Sequence, residues 1–114
     1  MKIAVLKETR AGEQRVAATP DSVKKLVALG HTLCIEKGAG SGASVPDSAY
    51  ETAGATVASR SDVLAGANLI LKVQKPEDVS DFPEGAALVA LLSPHEDAGL
   101  LDKYNSRKLT ALAL

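Results

Sequence analysis

Short apolar runs alternate with short amphipathic segments along the whole chain. Lys2–Leu6 predicts a first strand. Thr19-Pro20-Asp21 then carries the chemistry of a helix start: a hydroxyl for the N-cap, a proline at the first helical position and an early acid. Val23, Leu26 and Val27 follow at helical spacing, and Gly30 supplies the stop. His31–Glu36 predicts a second strand, and the glycine-rich stretch Gly38–Gly42 a turn. Pro46-Asp47 opens a short helix that runs through Ala53, with Gly54 at its end. Ala55–Ala58 reads as a weak third strand, Ser61–Ala65 as a helical turn, and Asn68–Val73 as a continuous apolar strand ended by Pro76. Phe82-Pro83-Glu84-Gly85 is a turn, and Ala86–Leu92 is a fully apolar strand stopped by Pro94. Glu96–Ser106 reads as a helix with Leu100, Leu101 and Tyr104 on its apolar side, and Leu109–Leu114 as a last strand.

Strands apolar on both faces, alternating with helices, predict an α/β fold: a doubly wound, mainly parallel sheet covered on both sides, of the flavodoxin/Rossmann-like kind. Ala86–Leu92 and Asn68–Val73 belong in its interior. The length, 114 residues, holds one domain at most and suffices for a hydrophobic core. The last segment is buried-strand sequence with nothing after it, and doubly wound domains place their sites just beyond strand ends, so the expectation is a fragment.

Composition narrows the function. A net charge of −1 without a basic block, and 3% aromatics, argue against a nucleic-acid surface. Cys34 lies in an apolar run and reads as a buried strand residue in a protein of a reducing compartment. His31 and His95 stand in no metal-ligand spacing. No apolar run approaches the ~20 residues of a membrane span, and Met1–Leu6 is too short for a signal peptide.

Two stretches invite a ligand. Gly38-Ala39-Gly40-Ser41-Gly42-Ala43 fits a loose dinucleotide fingerprint. It does not follow the first strand, Ser44-Val45-Pro46 delays its helix, and no acid ends the next strand, so it reads as a structural turn. Lys7–Pro20 lies past the first strand, where parallel sheets put ligands. Its Arg15 can fork onto a carboxylate or pair with Glu8 or Glu13 in a solvated loop, and chemistry alone leaves the two readings even.

Lys7-Glu8, Gly12-Glu13, Arg15-Val16-Ala17 and Thr19-Pro20 resemble the opening signature of the alanine dehydrogenase and transhydrogenase alpha-subunit family. Gly38-Ala39-Gly40 with Gly42-Ala43, Asp47, Tyr50 and Ala53-Gly54-Ala55 resembles its next block, and Leu71-Lys72-Val73-Gln74-Lys75-Pro76 its third. The resemblance covers the chain and implies that residues 1–114 are the N-terminal portion of the first of two doubly wound domains, with the nucleotide fingerprint in the second. Within the family, alanine dehydrogenases resemble Lys-Val-Lys-Glu-Pro in the third block, with the second lysine holding substrate. That position here is Gln74, and the position of their catalytic histidine falls on Ser93, with His95 two residues on. An imine-forming site needs a group that holds and gives a proton near neutral pH, and neither Gln74 nor Ser93 does so.

The transhydrogenase branch is therefore the expected one. The resemblance implies hydride transfer between NADH and NADP+, with NAD bound mainly by residues beyond this chain and NADP on a partner component. It also implies membrane-embedded partners, a homodimer, and a cytoplasmic subunit peripheral to the inner membrane. The sequence names no catalytic residue and leaves their identity open; no cofactor-binding or metal residue is expected within the segment, and Arg15 and Gln74 are the cleft-lining candidates. An alanine dehydrogenase-like oxidoreductase and a non-catalytic small α/β binding module are the alternatives.

Overall fold

A computed structural model describes residues 1–8, 13–74, 80–91 and 110–113. The helix expected at 96–106, Ser93 and His95 lie outside the described residues.

The chain forms β1 (Lys2–Val5), α1 (Pro20–Ala28), β2 (Thr32–Glu36), a 3-10 turn (Ser41–Ala43) and α2 (Asp47–Thr52). It continues through β3 (Thr56–Ala58), α3 (Arg60–Leu64), β4 (Leu69–Gln74), β5 (Ala87–Leu91) and β6 (Thr110–Ala113). Their order in the sheet is β3-β2-β1-β4-β5-β6, and every described pairing is parallel. That is the Rossmann order rather than the flavodoxin one, and it places the reversal of winding between β1 and β4.

Local chemistry sets the boundaries. Thr19 caps α1 in a reciprocal box: its side chain accepts from the amide of Ser22, and the Ser22 hydroxyl oxygen accepts from the amide of Thr19. Ser22 takes the role that Glu or Gln usually plays in this motif. Ser59 caps α3 by accepting from the amide of Asp62. The Lys2 ammonium closes the other end of α3, donating to the carbonyls of Asp62 and Ala65, where the helix dipole favours a cation.

Alternation along β1 divides the core. Ala4 and Leu6 face the cluster containing Val63 and Leu64 of α3, Ile70, Phe82 and Leu88. Ile3 and Val5 face the cluster containing Val23 of α1, Leu33, Ile35 and Tyr50 of α2. Helices α1 and α2 thus cover one face and α3 the other. β4 lies between β1 and β5, and β5 between β4 and β6, so both expected interior strands are interior. Cys34 is buried in β2.

Leu88 is fully buried at the middle of β5, so Leu88→Ala should destabilise the protein by about 2–5 kcal/mol in urea unfolding. A loss near zero would place β5 outside the packed interior.

Candidate functional site

In a parallel sheet the carboxyl ends of the strands are open to ligands, and the loops diverge most where the winding reverses. Here that place is the gap between the ends of β1 and β4. The chain leaves β1 through Leu6, whose amide reaches the Leu71 carbonyl at 3.5 Å, and then delivers Lys7 and Glu8 to this edge.

Glu8 turns inward. Its side chain is 2% exposed, and its carboxylate stands 3.4 Å from the ammonium of Lys72, which is 6% exposed. The second carboxylate oxygen accepts from the Val73 amide at 3.0 Å. The run Asn68–Val73 is therefore not uniformly apolar inside the sheet, because Lys72 carries a buried charge there. A buried lysine needs a partner, and Glu8 supplies it across 64 residues of sequence. Glu8 is accordingly not the solvated partner of Arg15 that the sequence allowed.

Arg15 pairs with Glu13 instead. Its Nε donates to Oε2 at 2.9 Å and its Nη2 to Oε1 at 2.7 Å, and its own amide also donates to Oε2. The Glu13 side chain is 6% exposed and that of Arg15 63%. Glu13, by hydrogen bond first and charge second, holds the Arg15 proton more firmly than usual. Nη1 of Arg15 has no partner among the described residues. Arg15 lines a shallow cleft of about 120 Å³ together with Lys7, Gln14, Gly38, Ser41 and Gly42. Gln74 ends β4 at the same edge of the sheet.

The glycine turn forms the far wall of the cleft. A Cβ on Gly40 would lie 2.7 Å from the Val45 carbonyl oxygen and 2.8 Å from a ring carbon of Tyr50. A Cβ on Gly42 would lie 3.0 Å from the backbone of Gln14. The amide of Gly38 donates to the Asp47 carboxylate at 2.9 Å, that of Ala39 to the Glu36 carbonyl at the end of β2, and those of Ser41, Ala43, Ser44 and Val45 to carbonyls within the turn. Most of the turn's amides are thus spent inward, and the space beside Gly40 is filled by the protein itself. Gly40 and Gly42 serve the close approach of backbone to its neighbours.

Tyr50 ties this wall to the arginine loop. It is fully buried, and its hydroxyl donates to the Ala18 carbonyl at 2.7 Å. Burial first, and the charge of Asp47 second, push its pKa up. The sequence pointed to Arg15 and to the edge it occupies. It did not reveal the Glu8–Lys72 pair, for which the one available signal was a lysine inside an apolar strand. Among the described residues no cluster of His, Cys, Asp or Glu could hold a metal ion.

The profile of the family described as "Alanine dehydrogenase/PNT, N-terminal domain" matches residues 4–114. The chain is 43% identical over 122 aligned positions to an NAD(P) transhydrogenase alpha subunit of Rhodospirillum rubrum, covering all of this chain and 32% of that protein. It is 34% identical to the alanine dehydrogenase of Bacillus subtilis, covering 99% of this chain and 30% of that protein. Among solved structures, the transhydrogenase from Sinorhizobium meliloti superimposes with a TM-score of 0.92 at 36% identity, over 97% of this chain and 34% of that one. An L-alanine dehydrogenase superimposes with a TM-score of 0.94 at 34% identity, over 99% and 32%. The chain thus spans about a third of the length of these relatives.

Two substitutions test the wall. Gly40→Ala meets a backbone carbonyl that cannot swing away, and should cost about 1–3 kcal/mol of stability. Tyr50→Phe removes a buried hydrogen bond and should cost about 1 kcal/mol at neutral pH. It should also change the alkaline limb. Because the folded pKa of Tyr50 is raised, its contribution is complete below the unfolded value of about 10 and is lost as pH climbs from there through the folded value. Stability of the wild type should therefore fall more steeply above pH ~10 than that of Tyr50→Phe in urea titrations. Parallel curves would deny Tyr50 that role.

Proposed function

The chain belongs to the alanine dehydrogenase/PNT N-terminal domain family, and from that membership we propose that it is the N-terminal segment of the NAD(H)-binding subunit of a proton-translocating transhydrogenase. The reaction passes a hydride from NADH to NADP+, giving NAD+ and NADPH. The observation that carries this reading is the identity of residue 74. At the C-terminal end of β4, beside the reversal of winding, stands an amide that does not titrate, where the dehydrogenase branch resembles a substrate-holding lysine.

The two reactions differ in their protons. Hydride transfer between two nicotinamides consumes and releases none, so the chemistry is the coenzymes' own and the protein supplies orientation. Reductive amination of pyruvate takes up ammonium and a proton and expels water, and it needs an acid–base group within reach of the keto carbon. The described residues lining the cleft include no histidine, and the Arg15 guanidinium, always charged, is held by Glu13.

NAD is bound mainly by residues beyond this segment, and NADP by a partner component. That division agrees with a glycine turn most of whose amides are spent internally. The subunit works as a homodimer on the cytoplasmic side of the inner membrane, attached through membrane-embedded partners. Among the described residues no helix is long and apolar enough to cross a membrane. An alanine dehydrogenase is the second reading, favoured by the TM-score of 0.94 with an L-alanine dehydrogenase.

The test is made on the full-length protein carrying this segment. NADH should reduce an NADP+ analogue, and NADH with pyruvate and ammonium should show no turnover. Gln74→Lys alone should not create the second activity. Pyruvate-dependent NADH oxidation by the unaltered protein would assign it to the dehydrogenases.

A further inference from the structure

Every ladder step from Leu69↔Ala87 to Leu71↔Val89 is regular, and the next pairing is Gln74↔Leu91. That is three steps along β4 against two along β5, so one residue of β4 is extra, and Lys72-Val73 forms a bulge. A bulge re-aims the strand beyond it, and on the other side of β4 the Leu71 carbonyl takes the Leu6 amide at 3.5 Å. Here the amide of Val73 donates to the Glu8 carboxylate at 3.0 Å. The same carboxylate sits 3.4 Å from the ammonium of Lys72, the other bulge residue. Both side chains are almost wholly buried, so neither group has bulk water as an alternative partner. Glu8 itself comes from the segment that leads from β1 into the cleft loop, and it lines the cleft with Lys7 and Arg15.

We propose that Glu8 is a positioning residue. Anchored by Lys72, its carboxylate takes the Val73 amide, two residues past the Leu71 carbonyl that closes on the Leu6 amide and within the β4 bulge, and so fixes the direction in which β4 runs on to Gln74 relative to the loop carrying Arg15. The proposal rests on the transhydrogenase reading only for the reaction used to measure it. A buried ion pair is weak evidence of stabilisation, since well-packed neutral groups often replace one without loss, and its better attested use is to fix register. The arrangement here has that character: both partners meet at the one irregular step of the described β4–β5 ladder.

The decisive variants separate the hydrogen bond from the charge. Glu8→Leu with Lys72→Met removes both charges and the acceptor; Glu8→Gln with Lys72→Met removes both charges but keeps an oxygen for the Val73 amide. Glu8→Asp keeps the charge but draws the carboxylate back from that amide, and it serves if the Leu/Met protein does not fold. Each is made in the full-length protein and read in two ways. Amide hydrogen exchange at Val73 needs no activity, and kcat for hydride transfer is measured per folded molecule with both coenzymes saturating.

Leu/Met should speed exchange at Val73 at least tenfold and lower kcat at least tenfold. Gln/Met should restore at least tenfold of each over Leu/Met, and Asp should lower kcat at least fivefold. A folded Leu/Met protein with kcat within twofold of the wild type would overturn the proposal, as would Gln/Met no better than Leu/Met, or Asp with unaltered kcat. If the wild type instead oxidises NADH with pyruvate and ammonium, the functional reading falls. The same variants are then judged on that reaction, with Val73 exchange as the common measure.

Discussion

The reversal of winding between β1 and β4 is the constraint from which the rest of the open edge follows. α1 and α2 carry the chain outward from β1 on one face, and α3 brings it back across the other face to start β4. Where the winding reverses in this way, the connections of the two adjacent strands lie on opposite faces of the sheet, which opens a gap at its carboxyl edge. Backbone groups at such a gap need partners, and apolar side chains cannot supply them. Glu8 answers that need from β1, and Lys72 answers the charge of Glu8 from β4.

The arginine loop and the glycine turn are held by a different kind of contact. Gly40 lets the Tyr50 ring and Val45 come close, and Gly42 lets the backbone of Gln14 come close. Tyr50 then reaches past them to Ala18. The loop from Glu13 to Ala18 is thus fastened at both ends, by steric fit of Gln14 against the turn that follows β2 and by a hydrogen bond from Tyr50 of α2 to Ala18. Gly40 and Gly42 of a fingerprint-like run are used for close approach within the protein. That use and close approach to a phosphate share one physical cause, the missing Cβ, and a sequence pattern does not separate them.

What the sequence disclosed and what it withheld differ in range. Thr19, Pro20, Ser59 and the apolar runs act on their immediate neighbours, and the elements they define are found within a residue or two of the expected bounds. The all-parallel sheet followed from runs apolar on both faces. The strand order was only partly legible, because flavodoxin-like and Rossmann windings use the same local units in a different succession. The Glu8–Lys72 pair was not legible, because each charge in sequence reads as exposed and the pairing depends on which strands are neighbours. Likewise the choice of Glu13 over Glu8 by Arg15 was decided elsewhere, by Lys72.

The Glu13–Arg15 pair has an asymmetry that bears on what the cleft can do. The carboxylate is nearly buried and the guanidinium mostly exposed, so the acid is the fixed member and the base the presented one. Glu13 engages the Nε and Nη2 edge and its oxygen also takes the Arg15 amide, which sets the plane of the guanidinium relative to its own backbone. Nη1 has no partner among the described residues, and Arg15 lines the cleft. Lysine could balance the charge of Glu13 but not this geometry, since an ammonium has no second edge to offer once the first is taken. An always-charged group held at a fixed angle orients a polar ligand without exchanging protons with it. Such a group suits chemistry that a coenzyme carries out by itself, in which the protein supplies orientation and no proton.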